Sequence, residues 1–327
     1  MIIGVTDYYR APFDIEAKAL GGDVEFIDFN SRDENDFNEE FLKKLDALLV
    51  YHARITDKTL AQLDNCKIIV RYGVGVDNMD LDALKKKGIP LCNTPDYGVE
   101  EIAATAVSHM LNLWRRISAY DRACRTFEVG WAQNLHKPIL RLSESTIGVI
   151  GVGRMGAAFI KFMKPYGCRF VGFDPHQPAG HEDKVGYERL DSLEELLAAS
   201  DGISLHCVLT RETAGMVDEK FIAAMKPGAL LVNTARGGLF KDLDVVEEGL
   251  KSGQLGGLGT DVLPSEPPMD HPLISAWREN APWLQGHLII TPHTALYSEK
   301  SLYDMRYMAA ETVSIFLNQN EFRNRIV

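Results

Sequence analysis

Short apolar, β-branched runs alternate along the chain with segments whose apolar residues recur at helical spacing, the pattern of an α/β fold built on parallel sheets. Ahead of Thr146, the strand candidates are Ile2–Thr6, Val24–Asp28, Ala47–Tyr51 and Lys67–Arg71. Helical patterns fall near Phe13–Leu20, Glu39–Leu45 and Lys58–Leu63, so this stretch makes a small α/β domain. A longer amphipathic pattern from about Val99 to Arg116 sets Ile102, Ala103, Ala106, Val107, Met110, Leu111 and Trp114 on one face. It has the length to link two domains. Ala119 to Leu142 reads as irregular, interrupted by Trp131 and Pro138, and suits an arm that packs on a partner subunit.

Beyond it, strands are expected at Thr146–Ile150, Arg169–Phe173, Ile203–Cys207, Ala229–Asn233, Gly257–Val262 and Leu288–Thr291. Helices are expected near Arg154–Lys164, Leu193–Ala199, Glu219–Met225 and Leu243–Lys251, giving six strands in a doubly wound sheet. A final helix, from about Glu299 to Leu317, follows the sixth strand and is expected to return to the first domain.

The first strand of the second half runs into Gly151, Gly153 and Gly156, a helix follows, and the next strand ends on Asp174. Strand, glycine turn, helix, strand and acid together form the context of a dinucleotide-binding fingerprint. Gly151 allows the tight turn, Gly153 lets the backbone approach a pyrophosphate, and Gly156 lets the helix lie close to the strand. The helix N-terminus offers N–H groups and partial positive charge to phosphates. Asp174 can accept from both ribose hydroxyls and would repel a 2′-phosphate, so the expected cofactor is NAD rather than NADP.

A chain of 327 residues, 46% hydrophobic and 25% charged, has room for two ordinary domains. A net charge of −11 argues against nucleic acid as a partner. The one dense basic run, Lys85-Lys86-Lys87, reads as a solvated helix end before Gly88. The five cysteines (Cys66, Cys92, Cys124, Cys168 and Cys207) lack metal-ligand or redox spacing, and they read as buried apolar residues in a reducing compartment. No metal is expected. The first residues read as a strand rather than a leader, and no apolar run approaches membrane-spanning length, so a cytoplasmic location is expected.

Three candidate groups lie at strand ends of the second half, where ligands of such sheets bind. Arg236, in Asn233-Thr234-Ala235-Arg236-Gly237, is placed to hold a carboxylate through paired hydrogen bonds, or to form a structural salt bridge. His293, in Thr291-Pro292-His293-Thr294, is a candidate proton carrier, although a single histidine also serves in structure. Glu266, after Asp261-Val262-Leu263-Pro264-Ser265, would stabilise an imidazolium and fix its tautomer, or be a surface residue of a proline-rich turn. Val208, just past a strand, suits packing against a cofactor or in the core.

In this order, the glycine fingerprint, the Thr-Ala-Arg-Gly run, the Asp-Val…Glu-Pro run and the Thr-Pro-His run resemble the D-isomer-specific 2-hydroxyacid dehydrogenases over nearly the whole chain. The resemblance implies that Arg236, Glu266 and His293 are catalytic, with His293 as the acid/base. It implies two Rossmann-like or flavodoxin-like domains with parallel sheets, an NAD domain (99–296) inserted into a discontinuous substrate domain (1–98 and 297–327), and a homodimer. It also implies cofactor contacts at Arg154, Met155, His206, Cys207, Thr234, Ala235 and Asp261, besides the fingerprint residues.

Tyr51-His52, the run Ile68 to Asn78, Cys92-Asn93, Val99-Glu100-Glu101 and Tyr297-Ser298-Glu299 are most similar to the C-terminal-binding protein branch. By that likeness Arg71, Gly73, Val74 and Gly75 meet a substrate carboxylate through the guanidinium and backbone amides, and His52 lines the same pocket. Three departures stand out. Leu296 replaces a tryptophan of the vertebrate members, and Ile102 replaces a threonine that contacts the cofactor. The stretch between Glu266 and His293 is longer than usual, and its extra length, around Trp277 to Gly286, is expected to be a loop beside the pocket or the interdomain cleft.

The expected activity is reversible reduction of a small 2-oxo acid to its D-2-hydroxy acid, with two domains closing on the ligand. Tyr51, His52, Arg54, Tyr72, Leu296 and Trp277 or Trp283 are expected to shape the substrate site. One rival is an NAD(H)-responsive transcriptional co-regulator, against which the chain shows no disordered tail after its last helix. Another is a phosphoglycerate-type dehydrogenase, with Arg54 as a second anion contact but no C-terminal regulatory domain in the sequence.

Overall fold

The structure is a computed structural model that describes residues 1–7, 9–126 and 139–327. The chain divides into two compact units, one of Met1–Gly98 with Tyr297–Val327 and one of Val99–Leu296.

The first unit runs β1 (Ile2–Val5), α1 (Asp14–Leu20), β2 (Glu25–Asp28), α2 (Glu39–Leu42), β3 (Ala47–Val50), α3 (Asp57–Ala61), β4 (Ile68–Arg71), α4 (Leu81–Lys87) and β5 (Leu91–Cys92). Its five parallel strands are ordered β2-β1-β3-β4-β5. Central strands β3 and β4 are buried along their whole length, as strands covered on both faces must be. Asn38, Thr56 and Asp80 cap α2, α3 and α4 with side-chain oxygens. The Lys85–Lys87 run does end a helix, complementing the dipole of α4 before Gly88 turns left-handed. Neither α4 nor β5 is visible as a period in the sequence, because one turn or two of helix and a two-residue strand are too short.

The second unit runs α5 (Val99–Arg115), α6 (Ile117–Thr126), β6 (Thr146–Ile150), α7 (Arg154–Met163), β7 (Arg169–Phe173), α8 (His181–Val185), β8 (Glu188–Arg189), α9 (Leu193–Ala199), β9 (Gly202–Leu205), α10 (Glu219–Ala224), β10 (Ala229–Asn233), α11 (Leu243–Ser252), β11 (Leu255–Thr260), α12 (Pro272–Arg278) and β12 (Leu288–Ile290). The last helix, α13 (Glu299–Gln319), belongs to the first unit, where Arg306 pairs with Glu16 of α1. The parallel sheet of the second unit is ordered β12-β11-β10-β9-β6-β7-β8, so the connection reverses direction between β6 and β9. Alternate residues of its strands feed two cores, Ile147 and Val149 on one side and Ile150 on the other. Both units are therefore parallel-sheet α/β domains.

The sheet has seven strands rather than six. The missed one, β8, is a charged two-residue edge that pairs with Val171 and Gly172. Ala119 to Leu142 is not irregular throughout, because α6 continues to Thr126. Arg116, at φ 55°, breaks the helix between α5 and α6 and so resets the apolar phase. Its guanidinium donates to the carbonyls of Gly286 and Gly256. Trp131 and Pro138 lie outside the described residues. The extra length before His293 is only partly loop, with short links at 279–281 and 285–287. It also includes the end of α12 and a 3-10 turn, Pro282–Leu284, with Leu273 and Leu284 in the core and Ile274 buried. Trp277 and Trp283 pack against that core, and Lys251 Nζ lies 5.3 Å from the Trp283 ring centre.

Candidate active site

The carboxyl ends of β6 and β9 flank the reversal in strand order, where an open α/β sheet binds its ligand. Gly151 has φ 83°, and a Cβ there would stand 2.6 Å from the Cys207 amide nitrogen. A Cβ on Gly156 would overlap the Gly151 carbonyl, whereas one on Gly153 would meet nothing within 4 Å. Gly153 is thus the position where the turn lies open, and no side chain caps the N-terminus of α7 that follows. Arg154 and Met155 form the first turn of that helix. Asp174 Oδ2 accepts the Val152 amide at 2.8 Å and its Oδ1 accepts the His176 amide at 3.0 Å. A carboxylate has further lone pairs for ribose hydroxyls.

The Asn233 side chain accepts from the Ala235 amide and donates to the Arg236 carbonyl, which folds the turn after β10. In that turn the Thr234 hydroxyl is buried with no hydrogen-bond partner among the described residues. An orphaned hydroxyl, an open glycine turn and an uncapped helix, all at the carboxyl edge of one sheet, fit a dinucleotide. Burial pushes the Cys207 thiol up to about 11, so it is no reactive thiolate. Burial of the His206 ring drives its imidazole down to about 3, although part of the residue remains open to solvent. The His206 ring pairs with the Ser204 hydroxyl at 2.8 Å. Ile102 sits half-buried in the first turn of α5, and Val208 is exposed.

The second unit brings His293 and Glu266 together. His293 Nδ1 lies 2.6 Å from Glu266 Oε2, and Glu266 Oε1 accepts the Leu263 amide at 2.9 Å. Burial alone would raise the Glu266 carboxyl. The His293 hydrogen bond and charge, the Leu263 amide and the positive charge of Arg236 outweigh it and hold the carboxyl below its usual range. Arg236 is half-buried, with Nη1 donating to the Ala235 carbonyl at 2.8 Å. A cation, a carboxylate and an imidazole are therefore neighbours at the carboxyl ends of β10, β11 and β12.

Asp261 is almost wholly buried, and both its carboxylate oxygens serve the loop after β12. Oδ1 accepts from the Thr291 hydroxyl and the Thr294 amide, and Oδ2 from the Ala295 amide. Beyond an acid at a strand end, no spacing or motif signals this role.

In the first unit, Arg71 closes β4 and its guanidinium stands 5.5 Å from the Tyr51 ring centre. Gly73 has φ 125°, and a Cβ there would overlap the Arg71 guanidinium. The Gly73 amide, expected to meet a carboxylate, donates instead to Thr94 Oγ1 at 2.5 Å. The amides of Val74 and Gly75 donate to no protein acceptor among the described residues, so they are the ones left for an anion. The His52 and Ala53 amides donate to Asp7, a buried carboxylate at the end of β1 that sequence reasoning missed. Tyr72 lies fully buried and donates to Glu16, and Arg54 is exposed.

A cluster of Asp244, Glu247 and His271 also gathers possible metal ligands within 4.8 Å. Its groups are engaged with one another and with Lys251, and His271 Nδ1 accepts the Leu273 amide that starts α12. No described helix is long and apolar enough to cross a membrane.

Residues 107–295 match the family model described as the D-isomer specific 2-hydroxyacid dehydrogenase, NAD binding domain. The chain belongs to that family. This dehydrogenase-family chain is 34% identical to D-3-phosphoglycerate dehydrogenase of Methanocaldococcus jannaschii over 279 residues, 84% of the chain and 51% of that protein. It is 30% identical to C-terminal-binding protein 1 of Caenorhabditis elegans over 303 residues, 90% of the chain and 40% of that protein. The chain thus spans about half the length, or less, of these curated relatives. Among solved structures, D-lactate dehydrogenase from Aquifex aeolicus, complexed with NAD and lactic acid, superposes with a TM-score of 0.84 at 28% identity, covering 97% of this chain and 95% of that one. The match places the family's NAD-binding domain within the second unit, and the cofactor is NAD.

Proposed function

We propose that the chain is an NAD-dependent dehydrogenase that interconverts a small 2-oxo acid and its D-2-hydroxy acid. The observation that carries this reading is the 2.6 Å contact between His293 Nδ1 and Glu266 Oε2. It engages Nδ1, so proton exchange with a substrate oxygen is assigned to Nε2. The cofactor, when bound, would supply a hydride as NADH for reduction and take one up as NAD+ in the reverse direction. Protonated His293 gives its Nε2 proton to the forming alkoxide, and neutral His293 takes it back from the alcohol. Glu266 stays anionic and stabilises the imidazolium. Arg236, whose charge reaches Glu266, holds the substrate carboxylate and polarises the adjacent carbonyl. Gly153, Arg154 and Met155 receive the pyrophosphate over the turn that Gly151 and Gly156 shape, and Asp174 receives the ribose. His206, Cys207, Thr234, Ala235 and Ile102 are the remaining proposed cofactor neighbours. In the first unit, Arg71 with the Val74 and Gly75 amides forms a second anion-binding turn, beside His52. The homodimer belongs to the same proposal, and light scattering on the purified chain tests it.

The activity is tested by NADH oxidation with 2-oxo acids graded in side-chain length and charge, including a phosphorylated one. We expect turnover of at least one acid, lost in His293→Ala while NADH binding persists. A chain that binds NADH yet reduces none of them overturns the proposal, as does a His293→Ala variant with wild-type rates.

A further inference from the structure

His109 is the one ionisable side chain on the buried face of α5, otherwise lined by Ala103, Ala106, Met110, Leu113 and Trp114. It is 4% exposed and packs over Gly259 of β11, where a Cβ would stand 2.8 Å from the His109 side chain. Its Nε2 lies 3.1 Å from Thr291 Oγ1. The Thr291 hydroxyl has a single proton and gives it to Asp261 Oδ1 at 2.6 Å. Towards His109 the hydroxyl must therefore accept, which fixes the Nε2–H tautomer of His109. Burial lowers the His109 imidazole against the opposing pull of Asp261, and the ring is held neutral.

The far end of this chain of hydrogen bonds is the loop that carries His293. The Asp261 carboxylate accepts the amides of Thr294 and Ala295, and the Asp261 carbonyl accepts the His293 amide at 2.8 Å. Residue 293 has φ 55°, a left-handed conformation that a side-chain-bearing residue adopts only where its surroundings impose it. An apolar residue at position 109 would fill the same space without a donor, and the Thr291 hydroxyl would then lack the N–H that orients it.

We infer that His109 is a positioning residue: by donating to Thr291 it aims that hydroxyl at Asp261, and Asp261 clamps the left-handed loop that presents His293 to Glu266. The clamp stands on these contacts alone, and only its effect on turnover rests on the proposed dehydrogenase activity.

The test compares His109→Leu, which keeps the bulk and removes the donor, with His109→Gln, which restores an N–H donor. In the full chain without substrate, hydrogen exchange at the Thr294 and Ala295 amides should quicken about ten-fold in H109L and return to within about three-fold of wild type in H109Q. With substrate, kcat of H109L should fall about ten-fold while the KM for NADH changes less than about two-fold, and H109Q should recover most of kcat. Thr291→Val carries the same expectation as H109L and replaces it if H109L does not fold. Wild-type exchange in H109L or T291V overturns the inference. Equal loss in H109L and H109Q also overturns it, because position 109 would then act by packing alone. A wild-type chain inactive on every 2-oxo acid sinks the proposed function, while the exchange measurement still decides the clamp.

Discussion

Asp174 accepts the Val152 amide at 2.8 Å, so the acid that ends β7 also ties down the tip of the glycine turn after β6. One carboxylate therefore has two tasks: it shapes the turn and it offers lone pairs to a ribose. Replacing it should damage cofactor affinity more than loss of one ligand contact would. Asp174→Ala is expected to raise the NADH dissociation constant by about ten- to a hundred-fold, the range for losing charge-assisted hydrogen bonds. The preference for NADH over NADPH should shrink as well, since the repelling charge is gone. Fluorescence titration of both cofactors checks this, and an unchanged preference would contradict the assignment.

Gly156 is a tighter constraint than its neighbour Gly153. An added Cβ at Gly156 would overlap the Gly151 carbonyl and also stand 3.1 Å from Val149, whereas at Gly153 it would meet open space. Gly156→Ala must push α7 away from β6 and should cost about 1–3 kcal/mol of stability. Gly153→Ala should leave stability almost unchanged and act on NADH binding instead. Denaturant unfolding of the two variants separates packing from cofactor approach.

Much of this site was legible because its parts sit at strand ends. The apolar runs before Gly151, Arg236 and His293 are long enough to declare buried strands, and the residues after them inherit the site. The second sheet was read one strand short because β8 is two charged residues, with nothing apolar to announce it. Ala119 looked irregular because Arg116 breaks the helix and shifts its phase, which no single period captures. The hydrogen bond of the Gly73 amide is hidden from the sequence for a different reason. Its partner, Thr94, lies 21 residues further on. Pairing of that kind follows from packing β4 against β5, and no spacing in the sequence encodes it.

Glu266 makes the acid limb of stability predictable in sign. Its folded pKa is depressed, so its stabilising contribution is complete above the ordinary glutamate value of about 4.3 and is lost as pH falls through the lower folded value. Glu266→Gln should therefore be less stable than wild type at neutral pH, and the gap should close in strong acid. Its reductive turnover should also fall, because neutral glutamine no longer stabilises the imidazolium. Unfolding curves at several pH values and the pH–rate profile of the variant check both halves.

His206 should dominate a different window. Its imidazole is held down to about 3 by burial, against about 6.5 in an unfolded chain, so the unfolded state binds the extra proton between these values. Stability is therefore full above about pH 6.5 and declines as pH falls towards about 3. His206→Gln keeps a partner for the Ser204 hydroxyl and removes the titration. The variant's stability should be flatter than that of wild type across this window, and equal slopes in the two proteins would show that the ring is not buried neutral.

Glu16 holds the first unit together from inside. It is fully buried, accepts the Tyr72 hydroxyl at 2.9 Å, and receives Arg306 through two bonds of 2.7 and 2.6 Å, one to each oxygen. The pair joins α1 to α13, so the last helix is tied to the first by a charge that has no water to fall back on. Removing one partner strands the other, which costs about 3–5 kcal/mol in buried pairs of this kind. Arg306→Met leaves the fully buried Glu16 without its cation and should fall in that range. Replacing Glu16 and Arg306 together by leucine and methionine should recover much of the loss, since no charge then remains buried. If the double variant is as unstable as the single one, the pair matters for its shape rather than for its charge, and a double-mutant cycle in denaturant makes the distinction.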